Sequence, residues 1–151
     1  MDVRQLNSVV LWDVVQHPNG DCYSPPGAPP GYLHSVCASH RLNPVTGSAI
    51  ALPHAGDPVA LAEGGFVGAE GYDELYLTIV LAPNGKLYSP PAGAHRVLEI
   101  DPEHGSRCIG PVFAGPSSFR CIGLAGNGKL YCAPHNRETR VLEIDPRSGT
   151  V

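Results

Sequence analysis

The sequence predicts an all-β domain built from about three copies of one short antiparallel repeat, and three observations carry that expectation. Two blocks recur in order: Asn84-Gly85-Lys86-Leu87-Tyr88 returns as Asn127-Gly128-Lys129-Leu130-Tyr131, and Arg96-Val97-Leu98-Glu99-Ile100-Asp101-Pro102 returns as Arg140-Val141-Leu142-Glu143-Ile144-Asp145-Pro146. The offset is 43 residues for the first block and 44 for the second. Each copy also carries two chain-reversing signals, an Asn-Gly and an Asp-Pro-x-x-Gly or Asn-Pro-x-x-Gly. Finally, 18 Gly and 16 Pro exceed a fifth of the 151 residues, a balance that opposes long helices and favours short strands joined by turns.

The first copy is the most divergent. His17-Pro18-Asn19-Gly20-Asp21-Cys22-Tyr23-Ser24-Pro25-Pro26 parallels Ala82 to Pro91, and Asn43-Pro44-Val45-Thr46-Gly47 stands where Asp101 to Gly105 and Asp145 to Gly149 stand in the others. It carries insertions around Gly27 to Gly31 and Leu52 to Gly65, which cost little loop-closure entropy. The chain thus reads as a single repeat domain over 1–151, with repeats near 9–48 (insertion to 71), 72–110 and 111–151.

Within a repeat, Asn-Gly between apolar stretches predicts a type I′ hairpin turn, because both residues tolerate positive φ. A short strand follows, Lys-Leu-Tyr in two copies, which Pro90 and Pro134 end by removing a ladder donor. Arg-Val-Leu-Glu-Ile-Asp is the next strand, with Leu98 and Ile100, or Leu142 and Ile144, facing a core and Val97, Glu99, Val141 and Glu143 on the opposite face. A helix is the competing reading, but six residues are too few and the following proline excludes αR from Asp101 and Asp145. Asp-Pro-x-x-Gly is then a type I turn closed by a left-handed glycine. It leads into Arg107-Cys108-Ile109, and Arg120-Cys121-Ile122 is expected to open the third copy.

A net charge of -4 with no run of three Lys or Arg leaves no basic footprint for nucleic acid. Val9 to Val15, the longest apolar stretch, is broken by Asp13 and falls far short of the roughly 20 residues of a membrane span. Met1 to Arg4 lacks a secretory leader pattern, so a soluble intracellular protein is expected. Five cysteines without a Cys-x-x-Cys pair suit neither a disulfide framework nor a zinc knuckle.

None of the seven histidines has local metal-ligand spacing, so no metal and no cofactor is expected. His104 sits in a turn and should be solvated. Glu99, Asp101, Glu143 and Asp145 form a repeated carboxylate array, but the aspartates read as turn caps and the glutamates recur as repeat residues, so no catalytic residue is assigned. Cys108 and Cys121, in matching Arg-Cys-Ile-Gly contexts, read as small strand residues rather than redox partners. No nucleophile elbow or phosphate loop is present.

Asn-Gly-Lys-Leu-Tyr-Cys-Ala-Pro followed by Val-Leu-Glu-Ile-Asp-Pro-x-x-Gly resembles the blade repeat of β-propellers of the Kelch, NHL and YVTN type, closest to the tandem form of predicted proteins of unicellular algae. The resemblance covers residues 81–151 well and 9–48 more loosely. It implies about three four-stranded antiparallel blades, an array left open or completed by self-association or a partner. Binding loops vary where scaffolds repeat, so function is expected in Pro25 to His34, Leu52 to Gly71, Pro90 to His95 and Pro134 to Thr139. Tyr32, His34, His95, His135, Asn136 and Arg137 are the candidate contact residues. The leading reading is a non-enzymatic binding or structural module for a protein partner or a second copy. The alternatives are a fragment of a propeller hydrolase or lactonase with a metal in its channel, and a peripheral subunit of a large, membrane-embedded complex.

Overall fold

The computed structural model describes residues 13–26, 38–55, 75–113, 119–135 and 138–151. All regular structure among them is strand, arranged in three sheets that fall on the three repeats. The first sheet is an antiparallel meander of β1 (Val15–Gln16), β2 (Cys22–Ser24), β3 (His40–Leu42) and β4 (Ala49–Ala51). The second holds β6 (Val80–Leu81), β7 (Leu87–Ser89), β8 (Val97–Asp101) and β9 (Gly105–Ile109) in the same order, with β5 (His54–Ala55) added in parallel outside β9. The third consists of β10 (Gly123–Leu124), β11 (Leu130–Cys132) and β12 (Leu142–Ile144), with β12 at its edge among the described residues. Arg120 to Ile122 lie before β10 rather than in it, and Phe119 instead makes a single bridge to Pro134.

The Asn-Gly signals do reverse the chain, by a different turn from the one the dipeptide suggests. Gly20 N–H donates to His17 O at 3.0 Å, Gly85 to Ala82 at 3.0 Å and Gly128 to Ala125 at 2.9 Å, so the central turn residues are Pro18-Asn19, Pro83-Asn84 and Gly126-Asn127. The glycine follows as a left-handed bulge residue, with φ of 94°, 80° and 81°. This is a type I turn with a glycine bulge, which proline's fixed φ favours at the second position. Asparagine has a separate task. Its side chain accepts from the residue two ahead and donates to the strand tyrosine in every copy: Asn19 to Tyr23 at 2.9 Å, Asn84 to Tyr88 at 2.9 Å, and Asn127 to Tyr131 at 3.0 Å.

At the other reversal, Asp101 Oδ1 accepts from Glu103 and His104, Asp145 Oδ1 from Arg147, and Asn43 Oδ1 from Val45 and Thr46. The aspartates therefore cap their own turns. His104 is solvated there, its side chain 78% exposed. The middle turn is tighter than the last: Asp101 pairs with Gly105, whereas Asp145 pairs with Thr150. Gly105 lies under the segment that leads into β5, where a Cβ would come within 2.2 Å of the Pro53 carbonyl oxygen.

The sheets stack face to face. Leu87, Leu98 and Ile100 of the middle sheet pack with Tyr23 of the first sheet and with Leu75, Tyr76 and Ile79. Tyr88 and Val97, on its other face, pack with Leu130, Cys132, Leu142 and Ile144 of the third and with Phe119. Val97 and Glu99 are thus buried as fully as Leu98 and Ile100, against the expectation of one core face and one open face. A strand sandwiched between two sheets needs apolar residues on both sides, and each fully buried side chain of this size contributes about 1.5–3 kcal/mol. Polar ties cross the same junctions. Asp13 Oδ2 accepts from Thr78 Oγ1 and Ile79 N–H, both at 3.0 Å, and Asn84 Nδ2 donates to Pro146 O at 2.9 Å.

Candidate functional site

Of the six candidate contact residues, Tyr32, His34, Asn136 and Arg137 lie outside the described residues. His95 is half-buried and committed: its Nδ1 is 2.7 Å from Phe113 O, and its own carbonyl accepts the Phe113 N–H at 2.8 Å. His135, also half-buried, accepts Glu138 N–H at its carbonyl at 3.2 Å. Phe119 connects the two loops that hold these histidines. Its N–H donates to Pro91 O at 3.1 Å, it bridges to Pro134, and its ring meets Phe113 edge-on with centroids 5.3 Å apart. Pro25 and Pro26, at the root of the first expected loop, are fully buried.

A polar network that the sequence reading assigned to repeat structure proves more organised. Tyr88 and Glu99 are cross-strand partners, and Glu99, only 3% exposed, receives Lys86 Nζ at 3.0 Å and Arg107 Nε at 2.8 Å on Oε1 and Tyr88 OH at 3.0 Å on Oε2. Burial alone would push this carboxyl up, but the hydrogen bonds from Lys86, Arg107 and Tyr88 outweigh it and hold the group below its ordinary value. Burial likewise pushes the Tyr88 phenol up to about 12, so it stays a donor. The hydrogen bond to Glu99 raises Lys86, which also reaches Asp101 Oδ2 at 3.4 Å. Lys86, Glu99, Asp101 and Arg107 border a cleft of about 340 Å³ that Ala55, His104 and Ser106 help to line. Cations and carboxylates both line it, and both carboxylate oxygens of Glu99 already accept hydrogen bonds.

The network repeats with informative changes. In the third sheet Lys129 Nζ meets Glu143 Oε1 at 2.6 Å, the two being exposed to 34% and 47%, and Val151 stands where Arg107 stands in the repeat. In the first sheet the signs are exchanged: Arg41 faces Tyr23 across the ladder where Glu99 faces Tyr88, and it pairs at 3.7 Å with Asp21, the counterpart of Lys86. An exchange that keeps opposite charges together preserves the pair, as expected of a blade-stabilising contact.

Remaining reactive groups are quiet. Burial pushes Cys132 up to about 12 and raises Cys108, so neither is a thiolate nucleophile. Cys108 lies in β9, while Cys121 is exposed before β10. Ser24 Oγ, Ser39 Oγ and His40 Nδ1 are buried without a hydrogen-bond partner, and burial lowers the His40 imidazole. Among the described residues, no three His, Cys, Asp or Glu side chains gather as metal ligands, and no helix is long and apolar enough to cross a membrane.

What distinguishes the third sheet is an uncovered face. Tyr131, Val141 and Glu143 occupy the positions of Tyr88, Val97 and Glu99, yet Val141 is 61% exposed where Val97 is fully buried. The edge strand β12 borders that face.

No family model matches the chain, and no curated protein does. Solved structures do. Virginiamycin B lyase from Staphylococcus aureus superposes with a TM-score of 0.53 at 10% identity, over 91% of this chain and 42% of the lyase chain. A streptogramin B lyase gives 0.52 at 11%, over 89% and 40%, and a catalytically inactive form of the S. aureus lyase with quinupristin gives 0.52 at 11%, over 94% and 43%. Virginiamycin B lyase is a seven-bladed propeller. The fold is a partial β-propeller. At this identity the likeness concerns architecture alone, and three blades across about two fifths of a seven-bladed ring agree with the three stacked sheets.

Proposed function

We propose that this partial propeller is a non-enzymatic binding or structural module of the Kelch, NHL and YVTN type, which offers the uncovered face and open edge of its third blade to a protein partner. The observation that carries the reading is the contrast between Val97 and Val141: one repeat sequence is covered in the middle blade and bare in the last. Among the described residues β12 is laddered only to β11, with a single bridge from Asp145 to Thr150 beside it, and a strand paired on one side has main-chain donors and acceptors for an extended chain. The loops joined by Phe119 supply a more variable surface beside them. An odd number of cysteines, with Cys22, Cys108, Cys121 and Cys132 all free thiols, fits a reducing, intracellular setting.

Elemental analysis of protein purified without added ions tests the non-enzymatic reading. The module should carry no stoichiometric metal, and amides of β12 should exchange faster than those of β8. One equivalent of zinc or calcium retained through gel filtration would overturn it in favour of a metal-dependent propeller enzyme.

A further inference from the structure

Two of the free thiols stand on neighbouring stretches of the third blade, Cys121 ahead of β10 and Cys132 at the end of β11. The ladder pairs Gly123 with Tyr131 and Leu124 with Leu130, and further out Phe119 bridges to Pro134 in the same antiparallel sense. Between these two points the Phe119 side holds one residue more than the Pro134 side, which makes a bulge. Counting from Phe119, Cys121 falls opposite Cys132; counting from Gly123, Ile122 does. Strand alternation also gives Cys121 the face of Phe119, and Phe119, Ile122 and Cys132 meet in one apolar cluster. Burial, and after it the charge of the neighbouring Cys121 thiol, pushes Cys132 up to about 12. Opposed residues of an antiparallel pair have Cα atoms about 4.5–5.5 Å apart, inside the range of about 4.4–6.8 Å that a disulfide spans.

We propose that Cys121 and Cys132 form a redox-modification site, closed to a disulfide by exchange with a low-molecular-weight disulfide of the glutathione class. The two thiols differ in access as stepwise exchange requires, Cys121 being exposed and Cys132 buried. In the first step the Cys121 thiolate attacks one sulfur of the small disulfide, and the other half leaves as a thiolate that takes up a proton. In the second, Cys132 gives up its proton and attacks the Cys121 sulfur, expelling the remaining small thiolate, which is protonated in turn. Two protein thiols are thereby oxidised by two electrons, and one small disulfide is reduced to two thiols. Cys132 ionises too rarely, and lies too deep, to react with a solute. Beside the mixed disulfide it needs no encounter, and proximity offsets the scarcity of its thiolate. The closed bond ties the stretch from Phe119 to Ile122 to β11, and Phe119 is the residue that joins the His95 and His135 loops. The oxidation state of the pair therefore sets how firmly that surface is held, in keeping with the transient, redox-sensing disulfides of reducing compartments.

The full chain, reduced and freed of reductant, is incubated with oxidised glutathione, alkylated in denaturant and mapped by mass spectrometry without reduction. Trypsin cuts after Arg120 and Lys129, which puts the two cysteines on separate peptides. The alkylatable thiols should fall from five to three, with those two peptides cross-linked. Cys121→Ser, at an exposed position, should abolish the cross-link and leave Cys132 to the alkylating agent. Once the mixed disulfide has formed, closure should quicken about tenfold for each pH unit between about 7 and 9, following the ionisation of Cys132. Glutathione retained on Cys121 with no cross-link across that range overturns the proposal. So does a disulfide joining either cysteine to Cys22, Cys37 or Cys108, or a cross-link that forms as fast in urea-unfolded chain.

Discussion

The second and third blades carry nearly the same sequence and have different physical environments. Val97, Tyr88 and Glu99 have no more than 3% of their surface exposed, whereas Val141 is 61% exposed and the Glu143 side chain 47%. The pattern Lys-Leu-Tyr and Val-Leu-Glu-Ile-Asp encodes a sheet able to pack on both faces, and whether both are used depends on which neighbour arrives. A repeat protein draws its stability from such nearest-neighbour junctions, so paired substitutions in the two blades measure a junction directly.

The largest difference should come from valine. Val97→Asp buries an unpaired charge and should cost about 4 kcal/mol or more, enough to abolish the folding transition, while Val141→Asp should change monomer stability by less than about 0.5 kcal/mol. Thermal unfolding of the two variants gives the comparison, and equal losses would refute the contrast. Next come the turn glycines. Gly105→Ala should cost about 3 kcal/mol, since it adds a collision with Pro53 to the strain of a positive φ, and Gly149→Ala, with open space around it, about 1 kcal/mol.

Glu99→Gln should cost about 2 kcal/mol at neutral pH, because a neutral amide cannot match the charge-assisted bonds from Lys86 and Arg107. The same group sets a pH dependence. Its carboxyl sits lower in the folded chain than its ordinary 4.5, so its contribution is complete above that value and is lost as pH falls through the lower folded one. Denaturant titrations from neutral pH into acid should show wild type losing stability below about pH 4.5 more steeply than Glu99→Gln. Parallel profiles would remove Glu99 from the account. The smallest effect is that of Tyr88→Phe, about 1 kcal/mol because Glu99 Oε2 and Asn84 Nδ2 each lose one partner, with Tyr131→Phe below about 0.5 kcal/mol in the half-exposed copy.

Much of the fold was legible because its signals are local. Asn19, Asn84 and Asn127 mark the first reversal and Asn43, Asp101 and Asp145 the second, since a turn is decided by the φ tolerance and side-chain reach of a few adjacent residues. The turn at Asn-Gly differs from the type I′ expectation because the residue before the asparagine, Pro18, Pro83 or Gly126, takes the second turn position. The candidate contact residues were less legible. His95 is engaged by Phe113, a partner 18 residues away that no spacing rule connects to it. Likewise β5 reaches β9 from an insertion, and Pro53 stands close against Gly105, without leaving a periodic mark.

By itself, the amino-acid sequence determined where the chain turns, which stretches extend and about how many blades follow one another. These are local signals, encoded within each repeat by residues close along the chain. Only the tertiary structure decided which of two equivalent faces is covered, because burial depends on the neighbouring blade. Val97 and Val141 share a sequence environment and differ only in what stands against them.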